Sequence, residues 1–298
     1  MRRRLSPASA IRAFTLIELL IVLAIIGALA ALSMPAFKGF GQGNALAAAE
    51  RQMADDIGLA RQYAIKNRAL VYLVFAVPQT PGDNGFVTAA ENLRAHAQAL
   101  ESSATLNAIP ELKDRALRAF TNIVSGLFTS YAIYTEQSLG DQPGMRRPRF
   151  LTDWRELPDG IVFPTNMTFT IPEGRLPEFP NGLTASLPTG SVPFPIAPRL
   201  GDPVDAIPRF TLPVIAFDST GRLFNFGAIP TNHYLTLGFG SVFVPRLPSP
   251  NPDSKVPGPP DFSRPVDYVQ TPFNNGTNSI FRIAALTGRS KLFKPETK

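Results

Sequence analysis

The sequence predicts an α+β fold: one long N-terminal α-helix, a membrane half followed by an amphipathic half, packed on an antiparallel β-sheet domain with long proline-rich loops. Three observations carry that expectation. No side chain from Leu19 to Phe37 is charged. Leu46, Ala49, Met53, Ile57, Ala60 and Ala64 then recur at three- and four-residue steps, one apolar stripe of a helix. Beyond Leu70, short β-branched and aromatic runs are separated by prolines, which favours antiparallel strands over βαβ units.

The chain opens with a basic, acid-free leader, residues 1–13, bearing Arg2, Arg3, Arg4 and Arg12. Residues 14–37 follow as a transmembrane and assembly helix. Its nineteen uncharged positions from Leu19 make a helix of roughly 28 Å, close to the hydrocarbon thickness of a bilayer. Arginines on one flank only hold that end in the cytoplasm, so the expected topology is single-pass, N-in and C-out, in the inner membrane and its lipid. An ordinary secretory signal has the same basic start and a small-residue cut site, which Ala28, Ala30 and Ala31 would supply. Against it, the helical pattern continues past the point where a cleaved signal would end.

Residues 38–68 are expected to continue the helix after a flexible patch at Lys38–Gly43, with Arg51, Asp55, Arg61 and Lys66 facing water and the stripe packed on the chain's own domain. Residues 69–298 form the extracytoplasmic β-rich domain. Strands are expected at Leu70–Val77, Tyr131–Thr135, Ile161–Phe163, Val214–Phe217, Tyr234–Gly238, Val242–Val244, Ile280–Ala285 and Ser290–Phe293. Helical spacing over about 88–127 predicts inserted helices broken at Ile109-Pro110. The stretches 172–213 and 245–272 hold ten and nine prolines, so they are expected to be surface loops, as spacers more than as binding loops, and not central strands.

Composition narrows function by exclusion. The net charge of +6 comes mostly from the leader: without its four arginines, 25 basic face 23 acidic side chains, and no nucleic-acid partner is predicted. There is no cysteine, hence no disulfide framework, thiolate metal site or thiol nucleophile. His96 and His233 have no companions spaced for a metal and are expected to face solvent. Asp55 with Asp56 and Asp202 with Asp205 read as solvated neighbours. With no nucleophile elbow, phosphate loop or dinucleotide fingerprint, the sequence predicts no enzyme, cofactor or metal.

Glu18 is the residue that needs a reason, because a carboxylate at mid-bilayer costs about 2.5–3.5 kcal/mol even on a lenient scale. Standing alone, it would reach the headgroups near the cytoplasmic end. In its setting, Arg12-Ala13-Phe14-Thr15-Leu16-Ile17-Glu18-Leu19-Leu20 resembles the class III signal of type IV prepilins and type II secretion pseudopilins. The resemblance implies a pilin-like fold, cleavage between Ala13 and Phe14 by a prepilin peptidase, and N-methylation of Phe14. It further implies that Glu18 pairs with the freed amine of a neighbouring subunit inside a helical stack. Pro35 falls where such proteins carry a helix-weakening proline, although it also reads as the outer edge of the span. One departure stands out: glycine usually precedes the cut, and here it is Ala13.

The segment Trp154-Arg155-Glu156-Leu157-Pro158-Asp159-Gly160-Ile161-Val162-Phe163 is similar to the WxxLPxG-then-strand element of H-type pseudopilins and FimT-like minor pilins. Ile215-Ala216-Phe217-Asp218-Ser219-Thr220-Gly221-Arg222 and Leu286-Thr287-Gly288-Arg289 look like that group's later strands and terminal hairpin, and Asp218–Gly221 and Thr287–Arg289 also read unaided as glycine turns. The resemblance implies a minor subunit of a pseudopilus or pilus, with other pilin or pseudopilin subunits and an inner-membrane assembly platform as partners. A major type IV pilin and a bitopic envelope protein that never assembles are the alternatives.

Overall fold

The structure is a computed structural model. It describes residues 16–77, 93, 95, 97–137, 148–164, 167–171, 173–174, 179–196, 208–224, 231–248, 258, 260–261, 267–270 and 279–294, without the side chains of 30–42, 168–169, 267 and 270. The chain divides into two compact units, Met1–Asn44 and Ala45–Lys298.

Helix α1 (Leu16–Asn67) contributes to both units. The Lys38–Gly43 patch, expected to be flexible, is helical backbone. Glycine costs a helix interior about 1 kcal/mol relative to alanine, a local penalty that need not end it. The stripe behaves as expected: Ala49, Met53, Ile57, Ala60 and Ala64 are fully buried. Its end is a Schellman motif built on an arginine. Arg68 sits in the left-handed region at φ 48°, Ala69 N donates to Ala64 O, and Arg68 N donates to Ile65 O.

In the second unit, β1 (Val71–Phe75) is buried along its whole length. It lies between β2 (Ser130–Thr135) and β9 (Arg209–Phe217), both antiparallel to it. The sheet is completed by β3 (Arg149–Phe150) and β4 (Arg155–Glu156) on β2, and by β8 (Thr189–Pro193) beyond β9. Side-chain alternation assigns its two faces. Phe75 is opposite Tyr131, whose hydroxyl reaches Asp56 of α1, so Val71, Leu73 and Phe75 share the α1 face. Tyr72 and Val74 share the other face with Phe210, which meets Phe120 of the inserted helix α3 (Pro110–Ser125) at 6.3 Å. A helix covers each face, which is why β1 has no polar side. Helices α2 (Ala104–Asn107) and α3 flank Ile109-Pro110, with Pro110 in the first turn of α3, where its missing N–H costs nothing.

A second sheet has the order β11 (Asp267–Gln270), β10 (His233–Phe243), β12 (Ser279–Ile283), β13 (Ser290–Phe293), with β5 (Ile161–Val162) also on β10. A separate hairpin pairs β6 (Thr168–Ile171) with β7 (Leu183–Ser186).

Two expectations need correction. The stretch 172–213, read as loops, contains β7, β8 and the first half of β9, and 245–272 contains β11. Two prolines of the first stretch stand where no ladder donor is needed. Pro193 ends edge strand β8, and Pro213 sits at a handover, because β8 engages β9 over Arg209–Pro213 and β1 engages it over Val214–Phe217. The runs Tyr234–Gly238 and Val242–Val244, read as two strands, fall in the single strand β10, which ends at Phe243. Its partner changes along its length, from β12 to β5 and then to β11.

Candidate assembly site

From Leu16 to Leu29 every large aliphatic side chain of α1 is exposed, Leu16 at 83%, and Glu18 in the first turn is the charged residue among them. A helix apolar on all sides belongs in an apolar medium or against other helices. A carboxylate in the first turn is favoured by the positive end of the helix dipole. This run is about 21 Å long at 1.5 Å per residue. Among the described residues no helix is long and apolar enough to cross a membrane. Ala13 and Phe14 lie outside the described residues, and Pro35 is placed within the helical backbone without its side chain.

The second half of α1 carries polar anchors that the sequence reading missed. Asp56, expected to be solvated, is buried: its Oδ1 pairs with Arg155 Nη1, and its Oδ2 accepts from the Tyr131 hydroxyl at 2.6 Å. Gln52 Nε2 donates to both Tyr131 Oη and Glu156 O at 2.9 Å. Burial, followed by the hydrogen bond to Asp56, holds the Tyr131 hydroxyl well above the usual phenol range. The Asp56 hydrogen bond likewise raises the Arg155 guanidinium. Two turns earlier, buried Glu50 accepts from Ser279 Oγ and pairs with Lys294 Nζ at 2.7 Å. A sequence signal for both acids existed: Asp56 is seven residues after Ala49 and Glu50 seven before Ile57, so each borders the stripe.

Arg61, expected to face water, is half-buried and joins the two glycine turns. Its Nε donates to Gly221 O at 3.0 Å and to Thr287 O at 2.9 Å. Gly221 and Gly288 have φ of 79° and 62°, as turns of this kind require. A Cβ on Gly288 would lie 2.1 Å from Gly221 O, so the turns touch backbone to backbone. In the first turn Asp218 Oδ1 accepts from Thr220 N, Thr220 Oγ1 and Arg222 N. Burial works to raise its pKa, but these hydrogen bonds outweigh burial and lower it.

The Trp154–Gly160 segment forms β4 on the edge of the first sheet, buries Leu157, and turns at Gly160 with φ 82°. It thereby delivers Arg155 to α1.

His233, expected to face solvent, is 6% exposed in β10, and burial pushes its pKa down to about 4. It opens β10 opposite Ile283, so pairing buries it. His96, Asp202 and Asp205 lie outside the described residues. Among the described residues no group of three or more His, Asp or Glu side chains could hold a metal ion.

No curated protein and no solved structure matches the chain significantly. Residues 9–34 match the model of the prokaryotic N-terminal methylation motif, which implies a subunit of the type IV pilin or pseudopilin kind, processed by prepilin peptidase.

Proposed function

We propose that the chain is a minor pseudopilin of a type II secretion system or a minor pilin of a type IV pilus. The precursor inserts N-in and C-out through residues 14–37 and is cut between Ala13 and Phe14. It is then methylated at Phe14 and drawn by the inner-membrane platform into a helical fibre. Glu18 compensates the amine of the neighbouring subunit, and Pro35 weakens the helix so that it adapts on assembly. The H-type group is the kind of minor subunit favoured, on the order of the Trp154–Gly160 element and the two glycine turns.

The observation that carries this reading is the methylation motif at residues 9–34 overlapping a helix whose aliphatic side chains are all exposed from Leu16 to Leu29. N-terminal mass spectrometry of the protein from its native membrane tests it. A chain beginning at methylated Phe14 is expected; an intact 1–13 segment would overturn the proposal.

A further inference from the structure

Among the described residues the second sheet ends in β13, which has β12 on one side and no strand on the other. Ala284 N donates to Arg289 O at 3.0 Å. By the antiparallel alternation, Lys291 and Phe293 therefore bond to β12, while Ser290 and Leu292 turn their N–H and C=O groups to the open edge. An edge of this kind is a template for one more strand.

Beside that edge stands a group of cations. Arg282 of β12 is directly opposite Lys291 of β13, and like charges so placed repel. Arg289, also exposed, lies two residues before Lys291. The buried ring of Phe293 is 5.2 Å from Arg282 Cζ and 4.7 Å from Lys291 Nζ, so one aromatic holds both cations in place. Among the described residues none of the three cations forms an ion pair, and the Glu50 carboxylate is taken by Lys294 and Ser279.

We propose that β13 takes up an extended acidic segment of a partner protein as a further antiparallel strand, with carboxylates at alternate positions facing Arg282, Arg289 and Lys291. Alternate side chains of a strand share a face and stand about 6.8 Å apart, the same repeat that separates Arg289 from Lys291. A strand offers both donors and acceptors to Ser290 and Leu292. A phosphate polymer offers acceptors alone and leaves the outward carbonyls of β13 to water. The cations also discourage two copies of β13 from pairing with each other, so charge selects the partner. This inference goes beyond the pilin reading: it needs neither cleavage before Phe14 nor a fibre, and either can fail alone.

The full chain in detergent micelles is titrated with a fluorescein-labelled peptide that alternates glutamate and threonine, and binding is followed by anisotropy. Saturable binding is expected, at least about tenfold weaker when lysine replaces glutamate. Methylating the threonine N–H groups, the ones offered to Ser290 and Leu292, should weaken it roughly fivefold. Lys291→Glu should weaken the glutamate peptide about tenfold at low salt and less at high salt. Hydrogen exchange gives the location, since bound peptide should slow exchange at the amides of Ser290 and Leu292. Absence of binding, equal binding of the N-methylated peptide, unchanged affinity of Lys291→Glu, unprotected Ser290 and Leu292 amides, or tighter binding of oligothymidylate of equal charge would each overturn the proposal.

Discussion

Asp56 on α1 and Arg155 on β4 form an ion pair in which the carboxylate is buried and the guanidinium is 43% exposed. The pair fastens the long helix to the edge of the first sheet, and the Tyr131 hydroxyl supplies the carboxylate's second bond.

Arg155→Ala leaves that carboxylate with Tyr131 alone. The expected loss is about 2–3 kcal/mol, less than for a fully buried pair because water already reaches Arg155. Asp56→Asn should also destabilise. Since both changes break one contact, the double variant should cost less than their sum in urea unfolding of the detergent-solubilised chain. Strict additivity would mean that the two residues do not interact.

Arg68 ends α1 in a conformation that costs a side-chain-bearing residue about 1–2 kcal/mol. Arg68→Gly should therefore stabilise by about 0.5–1 kcal/mol, after allowing for the greater freedom of glycine in the unfolded chain. At Gly288 the reverse holds. Gly288→Ala meets the Gly221 carbonyl and should cost about 2–4 kcal/mol, whereas Gly221→Ala meets mainly the flexible tip of Ile65 and should cost about half as much. Thermal unfolding of the three variants gives the order directly, and an equal penalty at the two glycines would refute the close approach of the turns.

His233 makes stability depend on pH. Its folded pKa is about 4 against 6.5 for an unperturbed imidazole. Between those values the unfolded chain binds the extra proton, so stability rises with pH over that window. The contribution is complete above pH 6.5 and is lost as the solution is acidified toward 4, up to about 3 kcal/mol in all. His233→Leu should flatten the pH 5–6.5 part of the profile in urea melts, where few carboxylates titrate; an unchanged slope would show that another group is responsible.

Glu18→Ala should leave membrane insertion intact and reduce incorporation into sheared fibres by roughly tenfold or more if the carboxylate compensates a neighbouring amine. Undiminished incorporation would remove the proposed pairing.

The architecture was readable where one rule decided the outcome. Periodicity placed the α1 stripe residue by residue, and the β-branched and aromatic run at Leu70–Val77 announced the strand found at Val71–Phe75. Reading failed where partners distant in the chain decide. Asp56 looks like a solvated acid until Arg155 and Tyr131 are folded beside it, and His233 looks solvent-facing until β12 lies opposite. Prolines misled for a related reason. Pro193 and Pro213 forbid a ladder donor, but only the strand order reveals that β8 is an edge and that β9 changes partners at Pro213. At the candidate site, Glu18 was legible as an exception to an uncharged run, whereas Glu50 finds Ser279 and Lys294, and Arg61 the turns at Gly221 and Thr287, all far along the chain.

Along α1, Glu50 grips Ser279 and Lys294, Gln52 and Asp56 together grip Tyr131 and β4, and Arg61 grips the two glycine turns, three separate parts of the domain. A tug along the helix axis therefore loads these grips side by side, in shear, instead of peeling them one after another. Such a joint yields abruptly and late, which suits a domain hauled by its helix.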